Sequence, residues 1–115
     1  MGSIVMSVHT VFWLSIALAI VGGFGFAGYN VLPKNHYARF TNSLIGWTCT
    51  PAALGFNWYA VQEFIIGTSH YHMTIADQNL WQGISVFVAT TIAGGLAYLT
   101  YLQSCRAFAW ALAKH

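Results

Sequence analysis

Charge is what this sequence has least of. Of its 115 residues, four are Lys or Arg and two are Asp or Glu, so charged side chains make up 5% against 57% hydrophobic. Soluble domains carry about 25% charged residues. A chain this apolar would have too little polar surface to offer water, which excludes an ordinary soluble domain. It also excludes a nucleic-acid footprint, which needs Lys and Arg clustered on one face. Only Glu63 and Asp77 are acidic, and they are far apart in the chain. No paired carboxylates, Ser/His/Asp set or phosphate loop is present, so catalysis by this chain alone is not expected. The two cysteines, Cys49 and Cys105, lack the spacing of a zinc site or a redox CxxC pair. They lie in or beside apolar stretches and are expected as reduced, buried thiols. No basic residue precedes Lys34, so neither a positive n-region nor an Arg-rich presequence is visible. The first apolar segment is therefore expected to be a retained span rather than a cleaved leader.

Long apolar runs are what the chain does have. They cover about residues 8–31, 44–66 and 80–102, the third with room to extend as a helix to Ala113. Each reaches the roughly 20 residues needed to cross about 30 Å of hydrocarbon. None alternates with period two, and a helix satisfies its own backbone in lipid. The expected fold is an all-α membrane protein of three transmembrane helices in a single domain, residues 1–115. The first connector carries Lys34 and Arg39, whereas Arg106 and Lys114 follow the third run. With three crossings those four lie on one side, which the positive-inside rule assigns to the cytosol. The N-terminus is then outside, or lumenal, and the C-terminus inside. Trp13, Trp58, Tyr71 and Trp81 fall towards the outer interface, and Tyr29, Tyr37, Trp47, Tyr101 and Trp110 towards the inner one. These are the belts that amphipathic rings prefer.

Small residues recur at a spacing of four. Ala19, Gly23 and Ala27 form one face of the first run, and Ala89, Ala93 and Ala97 form one face of the third. Small side chains let helix backbones approach closely in lipid, where packing drives association. Both sets are expected to be helix-packing faces, within the chain or against another membrane subunit. Pro51 interrupts the second run and predicts a kink, with Thr48 or Thr50 available to satisfy freed carbonyls. Asn57 is deep enough in the second run to predict a hydrogen bond to another helix. Glu63 is the one acid within a run. It lies within about one turn of the outer exit and is expected in a solvated, interfacial setting. His70 and His72 form a His-Tyr-His stretch in the second connector, with His9 on the same side. No carboxylate or thiol is spaced with them, so no metal site is expected. No histidine lies at mid-span, where a bis-histidine haem would need it, and no cofactor is expected.

Several residues, taken in order, carry a family resemblance. They are Phe12-Trp13, Pro33-Lys34-Asn35, Thr48-Cys49, Trp58 and Gln62. This series resembles subunit e of the V-type ATPase membrane sector. That family has a Phe-Trp near its N-terminus, a Pro-Lys-Gly or Pro-Lys-Asn turn between two spans, a Thr/Cys-rich second helix, then a Trp and a Gln. The resemblance covers roughly the first 67 residues, through short motifs. The chain departs from the family in a longer first span and in Gln62-Glu63-Phe64 where the family has Gln followed by Asn-Pro-Leu. Its third span is an extension of a two-span pattern. The resemblance implies a non-catalytic subunit of a rotary proton pump, packed against the large stator membrane subunit outside the rotor ring, in a vacuolar or other endomembrane. It also implies that Glu63 is not the proton-carrying carboxylate. Two other readings of the same residues stay open. One is an accessory subunit of a respiratory complex or ATP synthase in the mitochondrial inner membrane. The other is a small haem- or quinone-binding membrane anchor. In each the partners are other membrane subunits and lipids.

Overall fold

A computed structural model describes residues 7–67 and 74–113. The described residues are helical and contain no strand. Helix α1 is Val8–Val31 and α2 is Ala38–Ile65. The third helix, Ile75–Ala113, consists of α3 (Ile75–Ala89), a π-helical turn (Thr90–Gly94) and α4 (Gly95–Ala113). Two of the three helices, Val8–Val31 and Ile75–Ala113, are long and apolar enough to cross a membrane. Helix α2 is long enough but falls short in apolarity, because Asn42, Thr50, Asn57 and Gln62 interrupt it.

Local chemistry explains where these helices begin and end. Ser7 caps α1, its hydroxyl accepting from the Thr10 main-chain N–H at 3.1 Å. Pro33 stops it, since the residue before a proline is driven out of helical geometry. Leu32 accordingly adopts φ −65° and ψ 146°. Thr74 caps α3 by accepting from the Asp77 N–H at 3.2 Å, and Asp77 places its negative charge in the first turn. The third helix therefore begins five residues before the apolar run at Leu80. Helix α2 likewise starts at Ala38, ahead of its apolar run, because a polar first turn and a half do not prevent helix formation.

Helices α1 and α2 form an antiparallel hairpin. Ser15 pairs with Asn57, Gly22 with Thr50, Gly25 with Gly46 and Gly28 with Asn42. The third helix lies diagonally across this hairpin, with α3 on α2 and α4 on α1. The crossover is at the π-helical turn, where Ala19 of α1, Ala53 of α2, Ala93 and Ala97 form one buried cluster.

The π turn has a local cause and a packing consequence. The Thr91 hydroxyl donates to the Phe87 carbonyl at 2.9 Å, competing for the acceptor that an α-helix would give to the Thr91 N–H. At 3.6 residues per turn, Ser85 and Ala97 would be rotated by about 120° from one another. The extra residue of a π turn removes about 100° of that. Ser85, Ala89, Ala93 and Ala97 are all buried, in a near-straight line along one face.

Pro51 lies on the exposed side of α2, and the helix continues through it without a break. The carbonyl that Pro51 frees is that of Trp47. The Thr48 hydroxyl donates instead to Leu44 at 2.7 Å and to Ile45 at 3.3 Å. The Thr50 hydroxyl is buried and has no hydrogen-bond partner. The expected threonine compensation at Pro51 is therefore absent. Thr48 faces back along its own turn, and Thr50 is turned against α1.

Candidate functional site

The interior of this bundle is built from small and polar side chains. Its largest fully buried side chains are Asn57, Ser15 and Ser85. Asn57 Nδ2 donates to Ser15 Oγ at 3.0 Å, joining α2 to α1 as its depth in the second run predicts. Ser15 Oγ in turn donates to the Phe12 carbonyl, and Ser85 Oγ to the Trp81 carbonyl at 2.8 Å. Asn57 Oδ1 is buried without a partner. Asn42 Nδ2 donates to the Ala38 carbonyl at 2.8 Å, and the Asn42 side chain fills the space that a Cβ on Gly28 would need.

Glycine sets how closely the helices approach. A Cβ on Gly25 would lie 2.7 Å from Gly46 N and 2.8 Å from the Asn42 carbonyl oxygen. One on Gly22 would collide with the Thr50 hydroxyl, and one on Gly23 with the Ala97 carbonyl. Gly22, Gly25 and Gly28 thus face α2, whereas Gly23 faces α4.

The six small residues expected at packing faces are all buried. Ala19, Ala93 and Ala97 meet at the three-helix cluster, which also recruits Ala53. Gly23 rests on Ala97, Ala27 is fully buried, and Ala89 borders a groove with Leu54, Gly55 and Trp58 of α2. The spacing-by-four pattern did not reveal the α2 side of these contacts. That side carries Gly46, Thr50, Ala53, Asn57 and Ala60 at alternating steps of four and three, a heptad-like seam. Neither did it reveal the step-of-three series Gly22, Gly25 and Gly28.

The residues that carry the family resemblance are not brought together. Trp13 is 65% exposed and meets Phe12 edge-on. Phe12 and His9 both pack against Phe64, so this end of α1 lies beside the end of α2. Trp58 is exposed and Gln62 half-buried towards that same end. Pro33, Lys34 and Asn35 are exposed in the turn at the opposite end. Thr48 is exposed and Cys49 half-buried between the two ends. Cys49 and Cys105 are both free thiols.

Charge divides by end. Lys34 and Arg39 sit at the α1–α2 turn. Asn30 Nδ2 donates to the Tyr101 hydroxyl, which places Arg106, little more than one turn further along α4, towards that end as well. Both acids are at the other end: Glu63 is exposed in the last turn of α2, and Asp77 is in the first turn of α3. Glu63 borders a polar recess of about 170 Å³ with Gln62, Ile66, Gly67, Gln78 and Gln82. Tyr71, His70, His72 and Lys114 lie outside the described residues. Among the described residues no group of three metal-ligating side chains converges.

The chain matches no known family model, no curated protein and no solved structure.

Proposed function

We propose that the chain crosses a membrane three times and serves as a non-catalytic accessory subunit of the membrane sector of a V-type proton-pumping ATPase. Its N-terminus is lumenal, its C-terminus cytosolic, and it packs against the stator membrane subunit. The observation that carries the membrane part is the inverted polarity of the packing. The largest fully buried side chains are Asn57, Ser15 and Ser85, while Trp13, Phe40, Trp47, Phe87 and Trp110 are each more than 60% exposed. Monomeric soluble proteins rarely expose apolar patches on this scale. In lipid, the same arrangement keeps Ser15, Asn42, Asn57 and Ser85 inside the bundle and turns the rings outward.

The same observation supports a third crossing by α2. Asn57 bonds to Ser15, Asn42 to its own helix, and the hydroxyl of half-buried Thr50 is turned in against Gly22. These polar groups lower the mean hydropathy of α2 without facing lipid. The direction follows from Lys34, Arg39 and Arg106 at one end and Glu63 and Asp77 at the other. The V-type assignment rests on the resemblance of residues 1–67 to subunit e. Its support here is that residues 8–65 form a two-helix hairpin, with Pro33-Lys34-Asn35 at its turn.

Co-purification tests the assignment. Tagged protein, extracted in mild detergent, is expected to bring with it the proteolipid ring and the stator subunit of a V-type pump. Recovery with respiratory-chain or ATP synthase subunits alone would reject the V-type reading and favour the mitochondrial one.

A further inference from the structure

Beside the α1–α2 turn the bundle opens into a recess of about 320 Å³, lined by Tyr29, Lys34, His36, Arg39, Phe40 and Ser43. Arg39 is held in place there. Its Nε donates to the Tyr29 carbonyl at 2.9 Å, and its guanidinium lies 4.3 Å from the centroid of the Tyr29 ring. Those contacts use one N–H and one face of the guanidinium. The four terminal N–H groups have no partner among the described residues. His36 Nδ1 accepts from the Ala38 N–H at 3.1 Å, which leaves its Nε2 as the protonated nitrogen of the neutral ring. Tyr37, at the N-cap of α2, makes no side-chain capping bond, so His36 covers only the first N–H of that helix. Glu63 and Asp77 are at the far end of the bundle, so no carboxylate among the described residues balances Lys34 and Arg39.

We propose that this recess binds the phosphate of an anionic phospholipid headgroup. The inference rests on the membrane reading above, with this end on the inner side. A pinned guanidinium with both terminal nitrogens free suits bidentate pairing with phosphate oxygens. Lys34 adds a mobile point charge, and Ser43 a hydroxyl one turn further along α2. Basic recesses beside membrane helices on the inner side are where anionic headgroups are held. Lipid is favoured over free phosphate because Phe40, itself part of the lining, is 71% exposed and offers an apolar flank to acyl chains.

The test uses the full chain in nanodiscs of phosphatidylcholine containing a minor fraction of phosphatidic acid. Lipid retained on release is read by native mass spectrometry, and insertion and orientation by protease protection in sealed vesicles of the same lipids. Phosphatidic acid is expected to be retained in preference to phosphatidylcholine. Lys34→Ala, at an exposed side chain, is expected to weaken retention about fivefold, the usual weight of one basic residue near an anionic bilayer. Arg39→Ala is expected to weaken it about tenfold or more, with helical circular dichroism unchanged. Retention that ignores headgroup charge, or that survives both substitutions, would overturn the site. Equal competition by inorganic phosphate would overturn its assignment to lipid. A chain that inserts with the expected orientation but ignores phosphatidic acid refutes this inference alone. A chain that fails to insert refutes the membrane reading beneath it.

Discussion

Replacing Gly25 by Ala separates close backbone contact from loose helix association. An ordinary contact to a Cβ begins near 3.4 Å, and the new methyl would sit 2.7 Å from Gly46 N, so α1 and α2 would have to part by about 0.7 Å. The obstacle is main chain within a helix and cannot rotate away. Forcing a methyl into a packed interface costs about 1–3 kcal/mol. The gain in helix propensity on replacing Gly by Ala is only about 1 kcal/mol and does not offset the upper part of that range. Two other glycines calibrate the measurement. At Gly46 the nearest atoms belong to the Phe26 ring, at 2.8 Å, and a ring can swing aside, so Gly46→Ala is expected to cost less. At Gly55 nothing lies within 4 Å, and Gly55→Ala is expected to be neutral or slightly stabilising. Reversible unfolding by SDS in mixed micelles, followed by tryptophan fluorescence, reports all three. The order of stability Gly55→Ala, then Gly46→Ala, then Gly25→Ala is the expected result. Equal shifts for Gly25→Ala and Gly55→Ala would show that the α1–α2 approach is not this close, and the glycine argument would fail.

Other perturbations reach other parts of the bundle. A double-mutant cycle of Ser15→Ala and Asn57→Ala should give a coupling of about 0.6 kcal/mol, the average for side-chain hydrogen bonds between membrane helices; zero coupling would remove the Asn57–Ser15 bond from the account. Pro51→Ala restores a donor to the Trp47 carbonyl on an exposed face and is expected to raise the unfolding midpoint in the same SDS assay, whereas a lower midpoint would mean that the proline shapes a needed contact. A glycosylation acceptor introduced near Thr74 should be modified in microsomes, and one near Asn35 should not; the reverse pattern would invert the proposed orientation.

Helix positions were legible where hydropathy and stop signals coincide. Residues 8–31 form α1 because an apolar run ends at Pro33. They were less legible where a helix extends into polar sequence. Ala38 to Ser43 reads as connector by hydropathy, yet it is helical, and Asn42 packs against Gly28. Thr74-Ile75-Ala76-Asp77 is an N-cap pattern, and its two side chains announce the start of α3 ahead of the apolar run. The spacing of Ala89, Ala93 and Ala97 marked a packing line, but not the π turn that straightens it. That turn depends on one hydroxyl, on Thr91, choosing a carbonyl of the preceding turn. Partner choice was not legible either. Gly22 and Gly23 are adjacent and identical, and one faces α2 while the other faces α4, a consequence of the 100° between neighbours on a helix. The basic recess is not legible in Lys34 and Arg39 alone, which serve equally as topology signals; it takes the Tyr29 contact to show that Arg39 is held rather than free.

The length of the third helix constrains the proposed membrane placement further. Its 39 residues amount to about 58 Å, in keeping with the 61 Å long axis of the whole molecule. Even at a tilt of 40°, the upper end of the usual range, about 30 Å of hydrocarbon takes up only about 26 residues. About a dozen residues must therefore lie outside the hydrocarbon. The N-terminal end offers few of them, because Thr74 and Asp77 already mark an exposed, polar start and Leu80 and Trp81 follow within two turns. In that placement the excess falls towards the C-terminal end, where Gln103, Ser104 and Arg106 bring in polarity, and the Phe108–Phe24 ring contact keeps the segment against the inner half of α1. This segment is tied to the bundle by that ring pair, yet Arg106 and Trp110 are both exposed. A helix that carries a cation and an exposed indole just past the inner boundary suits the headgroup layer, where each has a favourable neighbour. The diagonal course of the third helix serves the same end. By passing from α2 to α1 at Ala93, it tilts, and so fits more of its length within the membrane than an upright helix could.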